Sequence, residues 1–233
     1  MSGAVGGAAS EVECWLIGTG RPAAVVADLW QLLDADERAR ADGMDPVLRD
    51  RFTVVRGAVR RLVGARLGRP PAEVRWRRGP NGKPEAADAG GLRVSWSASG
   101  ALAVLALAEQ RAVGVDVERL HEARTAERMA ARWFPFEEER FVAEPVEPSE
   151  RAARFTGLWC RREACVKAYG GRLTQSFGVS VVGPSPVLVA DPGGLGAGPA
   201  RVCDVPVPGP FRAAVAALGD PPLHVNSCVW QQS

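Results

Sequence analysis

Residues 113–118 read Val-Gly-Val-Asp-Val-Glu. Alternation this strict commits the run to a strand with two unlike faces, because successive strand side chains point to opposite sides. Val113, Val115 and Val117 make a β-branched face suited to a packed interior. Gly114, Asp116 and Glu118 make the other face, with the two carboxylates about 6.5–7 Å apart and no cation beside them in the run. Like charges at that spacing raise each other's pKa unless something positive lies between them. A hard divalent cation meets that need, since carboxylate oxygens are its natural ligands. The same pattern also describes the solvated outer face of an edge strand.

A helix is predicted over residues 149–169, with Ser149 as N-cap and Gly170-Gly171 as the stop. Phe155, Leu158, Trp159, Val166 and Tyr169 form its apolar stripe. Trp159, Glu163 and Lys167 follow at i, i+4 and i+8 and share one face. Taken alone, Glu163 and Lys167 read equally as an exposed helix ion pair, which contributes little.

Together the two elements resemble the paired signature of 4′-phosphopantetheinyl transferases, closest to the monomeric surfactin-synthetase-activating type. The family's Val/Ile-Gly-Val/Ile-Asp-x-Glu is matched by residues 113–118, and its Trp-x-x-Lys-Glu-x-x-x-Lys by 159–167. Its Phe-Phe-x-x-x-Glu corresponds to Trp133-Phe134-Pro135-Phe136-Glu137-Glu138, its Gly-Lys-Pro to Gly82-Lys83-Pro84, and its Ser-His-Ser to Ser97-Ala98-Ser99. The resemblance runs from about residue 33 to residue 180. Two departures stand out: Ala98 replaces the family histidine, and Arg162 replaces a lysine.

The resemblance implies an α+β fold of two similar lobes related by a pseudo-twofold, with the active site in the cleft between them. It implies a lobe over 11–110, a second over 111–233, and a junction near residue 110. The implied reaction moves 4′-phosphopantetheine from coenzyme A to a serine of an apo acyl or peptidyl carrier protein. Asp116, Glu118 and Glu163 would hold Mg²⁺, with Mn²⁺ as the alternative. Glu163 would take the serine proton, and Lys167 would reach a phosphate. Arg40, Arg56 and Lys83 would bind the 3′-phosphate and adenine end. Ser97 and Ser99 would lie near the phosphates, and Arg162 would also contact coenzyme A. Trp159 is expected to pack beneath the site, and Glu138 to brace it from behind. With Ala98 in place of histidine, coenzyme A binding is expected to be weaker and the chemistry intact. The alternative is a degenerate member that binds coenzyme A or carrier protein without transfer.

Composition bounds the partners. At 233 residues, 46% hydrophobic and 24% charged, the chain can bury an ordinary globular core. A net charge of +2 gives no argument for nucleic acid. The basic residues between Arg49 and Lys83 suit a polyanionic small ligand, of which two or three are expected to touch it. Cys14, Cys160, Cys165, Cys203 and Cys228 follow no metal-ligand spacing and read as free thiols. His121 and His224 fall in no catalytic pattern. No signal peptide and no span of membrane length is legible, so a cytoplasmic protein is expected, and the chain length with the resembled type implies a monomer.

Elsewhere, residues 1–10 read as disordered and 12–17 as a first strand. Asp45-Pro46 opens a helix that Gly68 closes. Strands are predicted at 74–77, 92–97 and 101–108, with 109–111 turning back into the Asp116 strand as a hairpin. Helices are expected near 122–133 and 135–143, and further strands over 177–190 and 200–217.

Overall fold

The structure, a computed structural model, describes residues 10–79 and 81–232. The segment 1–9, expected to be disordered, and Pro80 of the predicted turn lie outside the described residues. Strand β1 (Ser10–Gly18) is followed by helices α1 (Ala23–Trp30), α2 (Ala35–Asp42) and α3 (Pro46–Leu67). A short ribbon, β2 (Trp76–Arg78) with β3 (Pro84–Ala86), leads to the hairpin β4 (Leu92–Ser99) and β5 (Leu102–Glu109). The order then repeats. Strand β6 (Val113–Arg119) precedes helices α4 (Ala123–Trp133), α5 (Phe136–Ala143) and α6 (Pro148–Tyr169). Strands β7 (Val187–Val189), β8 (Ala200–Val205) and β9 (Phe211–Leu218) complete that half, and β10 (Leu223–Val229) ends the chain.

The strands form two four-stranded sheets, ordered β10-β1-β5-β4 and β6-β9-β8-β7. In each half the first strand pairs antiparallel with the last of its own run, β1 with β5 and β6 with β9. The final strand β10 crosses back to pair parallel with β1. Residues 223–229 therefore build the first sheet, which a division at 110/111 would assign to the other half.

Three packed clusters make four layers. Helix α3 covers one face of the first sheet through Val54, Val59 and Val63. Helix α6 covers the second sheet through Phe155, Leu158 and Val166. Between the sheets, Val104 and Ala106 of β5 meet Val113, Val115 and Val117 of β6. The valine face predicted for the Asp116 strand is thus the seam between sheets, which leaves Gly114, Asp116 and Glu118 facing α6.

This packing corrects the predicted hairpin at 109–111. β5 and β6 stand in different sheets because both carry an apolar face, and facing layers bury both. Gln110, at φ 59°, redirects the chain. Arg111 holds the start of the second sheet by donating to the Gly219 carbonyl at 2.7 Å.

Both long helices have 22 residues, a proline at the start and a left-handed glycine, Gly68 or Gly170, at the end. α3 begins at Asp45-Pro46 as predicted, and Asp45 caps it, accepting from the Val47 and Leu48 N–H groups. The N-cap of α6 is Glu147, with no side-chain cap bond, and not Ser149; Pro148 takes the first position because its missing N–H costs nothing there. Of the expected strand 177–190 only Val187–Val189 forms. The expected strand 200–217 is split in two around Pro206, Pro208 and Pro210, which cannot donate to a ladder. Helices α1 and α2 were not legible as periodic runs. Among the described residues, no helix is long and apolar enough to cross a membrane.

Candidate active site

Helix α6 lies unusually close to β6. A Cβ on Gly114 would come within 2.1 Å of the Ala164 carbonyl oxygen and 2.3 Å of the Ala168 nitrogen, so only glycine permits this approach. The approach sets the Glu163–Lys167 face of the helix beside Asp116. Lys167 Nζ donates to Asp116 Oδ1 at 2.7 Å and to Ser97 Oγ at 3.0 Å. Ser97 Oγ donates to the same Asp116 oxygen at 2.7 Å. Ser99 Oγ donates to Glu118 Oε2 at 2.8 Å.

Asp116 is 2% exposed, and its Oδ2 is buried without a partner among the described residues. An orphaned carboxylate oxygen in such a place is costly unless a cation or donor meets it. Glu163 is raised from the usual carboxylate range, first by burial and then by the Asp116 charge, with Lys167 opposing. Glu118 is raised by burial, against the pull of its Ser99 hydrogen bond. Burial leads both shifts, and the neighbouring Asp116 charge adds to each. Among the described residues, no three His, Cys, Asp or Glu side chains are already closed into a metal cage. The donor set still fits a hard divalent cation: all oxygen, one oxygen unpartnered and two groups short of countercharge.

A cleft of about 530 Å³ has Ser97, the hydrogen-bond partner of Asp116, in its lining. Its wall carries Arg40, Arg51, Arg56, Arg77 and Arg78 with Trp76, Trp96 and Phe52. Flat aromatic faces and guanidinium groups suit a purine nucleotide with phosphates. Arg40 and Arg51 make no ion pair with described residues, and Arg40 stacks over Phe52 at 5.3 Å. Ala98 is exposed on the same wall.

Other predicted contacts are placed differently. Arg56 lines the cleft, yet its guanidinium pairs with Glu37 and sits between Trp76 and Trp96, 5.0 and 4.5 Å from their ring centres. Lys83 is outside this cleft. Its ammonium donates to the Val113 and Lys167 carbonyls at 2.6 and 2.7 Å, tying the β3 approach to β6 and the end of α6. Burial lowers its pKa to about 8.

Arg162 is a plain correction. It is fully buried on the far side of α6, paired with the equally buried Glu138. It also donates to the Ser176 and Val179 carbonyls, the latter at 2.6 Å. Glu138 accepts from the Val181 N–H at 2.6 Å. The pair locks α5 and the 176–181 segment onto α6, so Glu138 does brace the helix, while Arg162 reaches no part of the cleft. Trp159 packs on Phe134 and Phe155 beneath the site. The five cysteines are free.

Sequence reasoning missed Asp34 and Glu37. Glu37 holds both Arg56 and Arg60, and Asp34 caps α2 in a reciprocal capping box while pairing Arg60. The Asp-x-x-Glu spacing before α2 was the available signal.

Comparisons with known proteins converge on one family. Residues 112–187 match a family model described as the 4′-phosphopantetheinyl transferase superfamily, a span that holds Asp116, Glu118, Glu163 and Lys167. The chain is 34% identical over 170 residues to the 4′-phosphopantetheinyl transferase HetI of Nostoc sp., covering 71% of each protein. It is 30% identical over 162 residues to slr0495 of Synechocystis sp., whose name carries the same activity provisionally, covering 68% of this chain and 64% of that one.

Proposed function

The chain belongs to the 4′-phosphopantetheinyl transferase superfamily and is an enzyme of phosphopantetheine transfer, and on that premise we propose how its residues divide the work. Coenzyme A lies in the arginine-lined cleft, with Arg40 and Arg51 meeting its phosphates and the Trp76–Trp96 wall meeting the adenine. Asp116, Glu118 and Glu163 hold a divalent cation, Mg²⁺ or Mn²⁺. When bound, that cation neutralises charge on the pyrophosphate.

The carrier serine oxygen forms a bond to the phosphorus that bears pantetheine. The bond to the 3′,5′-ADP oxygen breaks, and the hydroxyl proton passes to a Glu163 carboxylate oxygen. Burial raises the Glu163 pKa, which makes its carboxylate a better proton acceptor than a solvated one. Lys167, fixed by Asp116 and Ser97, holds an ammonium where charge grows on the leaving phosphate. Arg162 has no part in this chemistry. The single observation that carries the reading is Ser97, which bonds both Asp116 and Lys167 and also lines the cleft of arginine and tryptophan.

The finer assignments are an acyl or peptidyl carrier of polyketide or nonribosomal peptide synthesis as partner, a monomer, and a cytoplasmic site of action. Intact mass of an apo peptidyl carrier protein, incubated with this chain, coenzyme A and Mg²⁺, tests the core of the proposal. The expected result is a gain of one phosphopantetheine, lost with EDTA and with Glu163→Gln. Coenzyme A binding with no mass gain on any carrier type would replace transfer with mere binding.

A further inference from the structure

The edges of the two sheets meet at β4 and β6, and no backbone ladder joins them. Three alternate serines of β4 join them instead. Ser95 Oγ accepts from the Val115 N–H at 3.1 Å. Ser97 Oγ donates to Asp116, and Ser99 Oγ donates to Glu118. A period of two places all three hydroxyls on one side of β4, against consecutive stretches of β6.

The direction of each bond is fixed by a second partner. Lys167 Nζ donates into Ser97 Oγ at 3.0 Å, and the Arg119 N–H donates into Ser99 Oγ at 3.1 Å. With one lone pair so occupied, each hydroxyl proton is left for its carboxylate. The resulting distances of 2.7 and 2.8 Å suit bonds to ionised acceptors. Each serine therefore pins one oxygen of its carboxylate. At Asp116, Oδ1 takes both Ser97 and Lys167, while Oδ2 stays buried and unpartnered.

We propose that Ser97 and Ser99 are positioning residues that aim Asp116 and Glu118 at the divalent cation. The inference rests on the reading that these carboxylates hold the cation. Hydrogen-bond partners of metal-binding carboxylates set affinity by fixing their orientation before the ion arrives. Ser95 has the same place in the seam but touches no carboxylate, so it separates joining the sheets from aiming the ligands.

Mn²⁺ binding to the full chain without coenzyme A, followed by the electron paramagnetic signal of the free ion, tests this. Ser97→Ala and Ser99→Ala are each expected to weaken Mn²⁺ by about 10-fold or more. Ser97→Thr and Ser99→Thr, which keep the hydroxyl, are expected to restore it. Ser95→Ala is expected to lower the melting temperature and leave Mn²⁺ affinity unchanged. Unchanged Mn²⁺ affinity in both alanine variants, with a raised KM for coenzyme A, would make the serines phosphate ligands and overturn the proposal. An equal loss in Ser95→Ala would reduce the effect to sheet joining and overturn it as well. Absence of Mn²⁺ binding by the unaltered chain would sink the underlying metal reading itself, and this inference with it.

Discussion

Gly114 lies against Ala164 so closely that a methyl group on the glycine would come within 2.1 Å of the alanine carbonyl oxygen. The obstacle is helix backbone, which cannot swing aside as a side chain could. Gly114→Ala therefore has to push α6 away from β6, moving Glu163 and Lys167 off Asp116. Overpacking of this kind costs about 1–3 kcal/mol or somewhat more. Urea denaturation is expected to show that loss, and transfer is expected to fall further than stability alone explains. Full activity in a folded Gly114→Ala protein would mean the close approach does not set the site.

Glu138 and Arg162 form an ion pair with both side chains fully buried. Removing one partner leaves the other charged in a low-dielectric interior, at a cost of about 3–5 kcal/mol. Arg162→Met and Glu138→Leu are each expected to lower the melting temperature strongly. The double variant is expected to be less destabilised than the sum, since no lone charge remains. Chemical denaturation of the three variants checks this as a double-mutant cycle. Additive losses would mean the two side chains do not depend on each other.

Lys83 carries a pKa lowered to about 8, because burial disfavours its ammonium. The unfolded chain holds that proton up to the ordinary lysine value of 10.5. Between those values the unfolded state binds more protons, so this residue's contribution to stability rises with pH across the window. Comparing melting temperatures of the unaltered chain and Lys83→Met isolates the effect. The difference is expected to shift in favour of lysine as pH climbs from 8 towards 10. A difference that stays flat across the window would show that the two carbonyl acceptors keep Lys83 charged.

Ala98 stands exposed on the cleft wall among arginines. Arg77, on the same wall, is already paired with Glu85 at 2.6 Å and is not free to supply the donor that alanine lacks. Ala98→His adds a donor where the phosphates of coenzyme A are expected. KM for coenzyme A should fall several-fold, by about one ordinary hydrogen bond, with kcat little changed. Steady-state kinetics with coenzyme A varied measures it, and an unchanged KM would mean no donor is lacking at that position.

The sequence by itself determined which face of its own element each residue occupies. Alternation over 113–118 separated the valines from Asp116 and Glu118, and spacing by four put Glu163 with Lys167. Pro46 marked the start of α3, and glycines marked the ends of both long helices. Tertiary structure decided what each face meets. Arg162 and Glu163 are neighbours in sequence, yet about 100° of helix rotation per residue sends one into the core with Glu138 and the other towards Asp116. Ser97 and Ser99 carried no sign that their hydroxyls would turn to β6, because the two strand edges come together only when the sheets pack. Lys83 likewise finds its carbonyls on elements some 30 and 84 residues away. Periodicity is a property of one segment, whereas a hydrogen bond or ion pair across segments exists only once packing has removed water and chosen the neighbour.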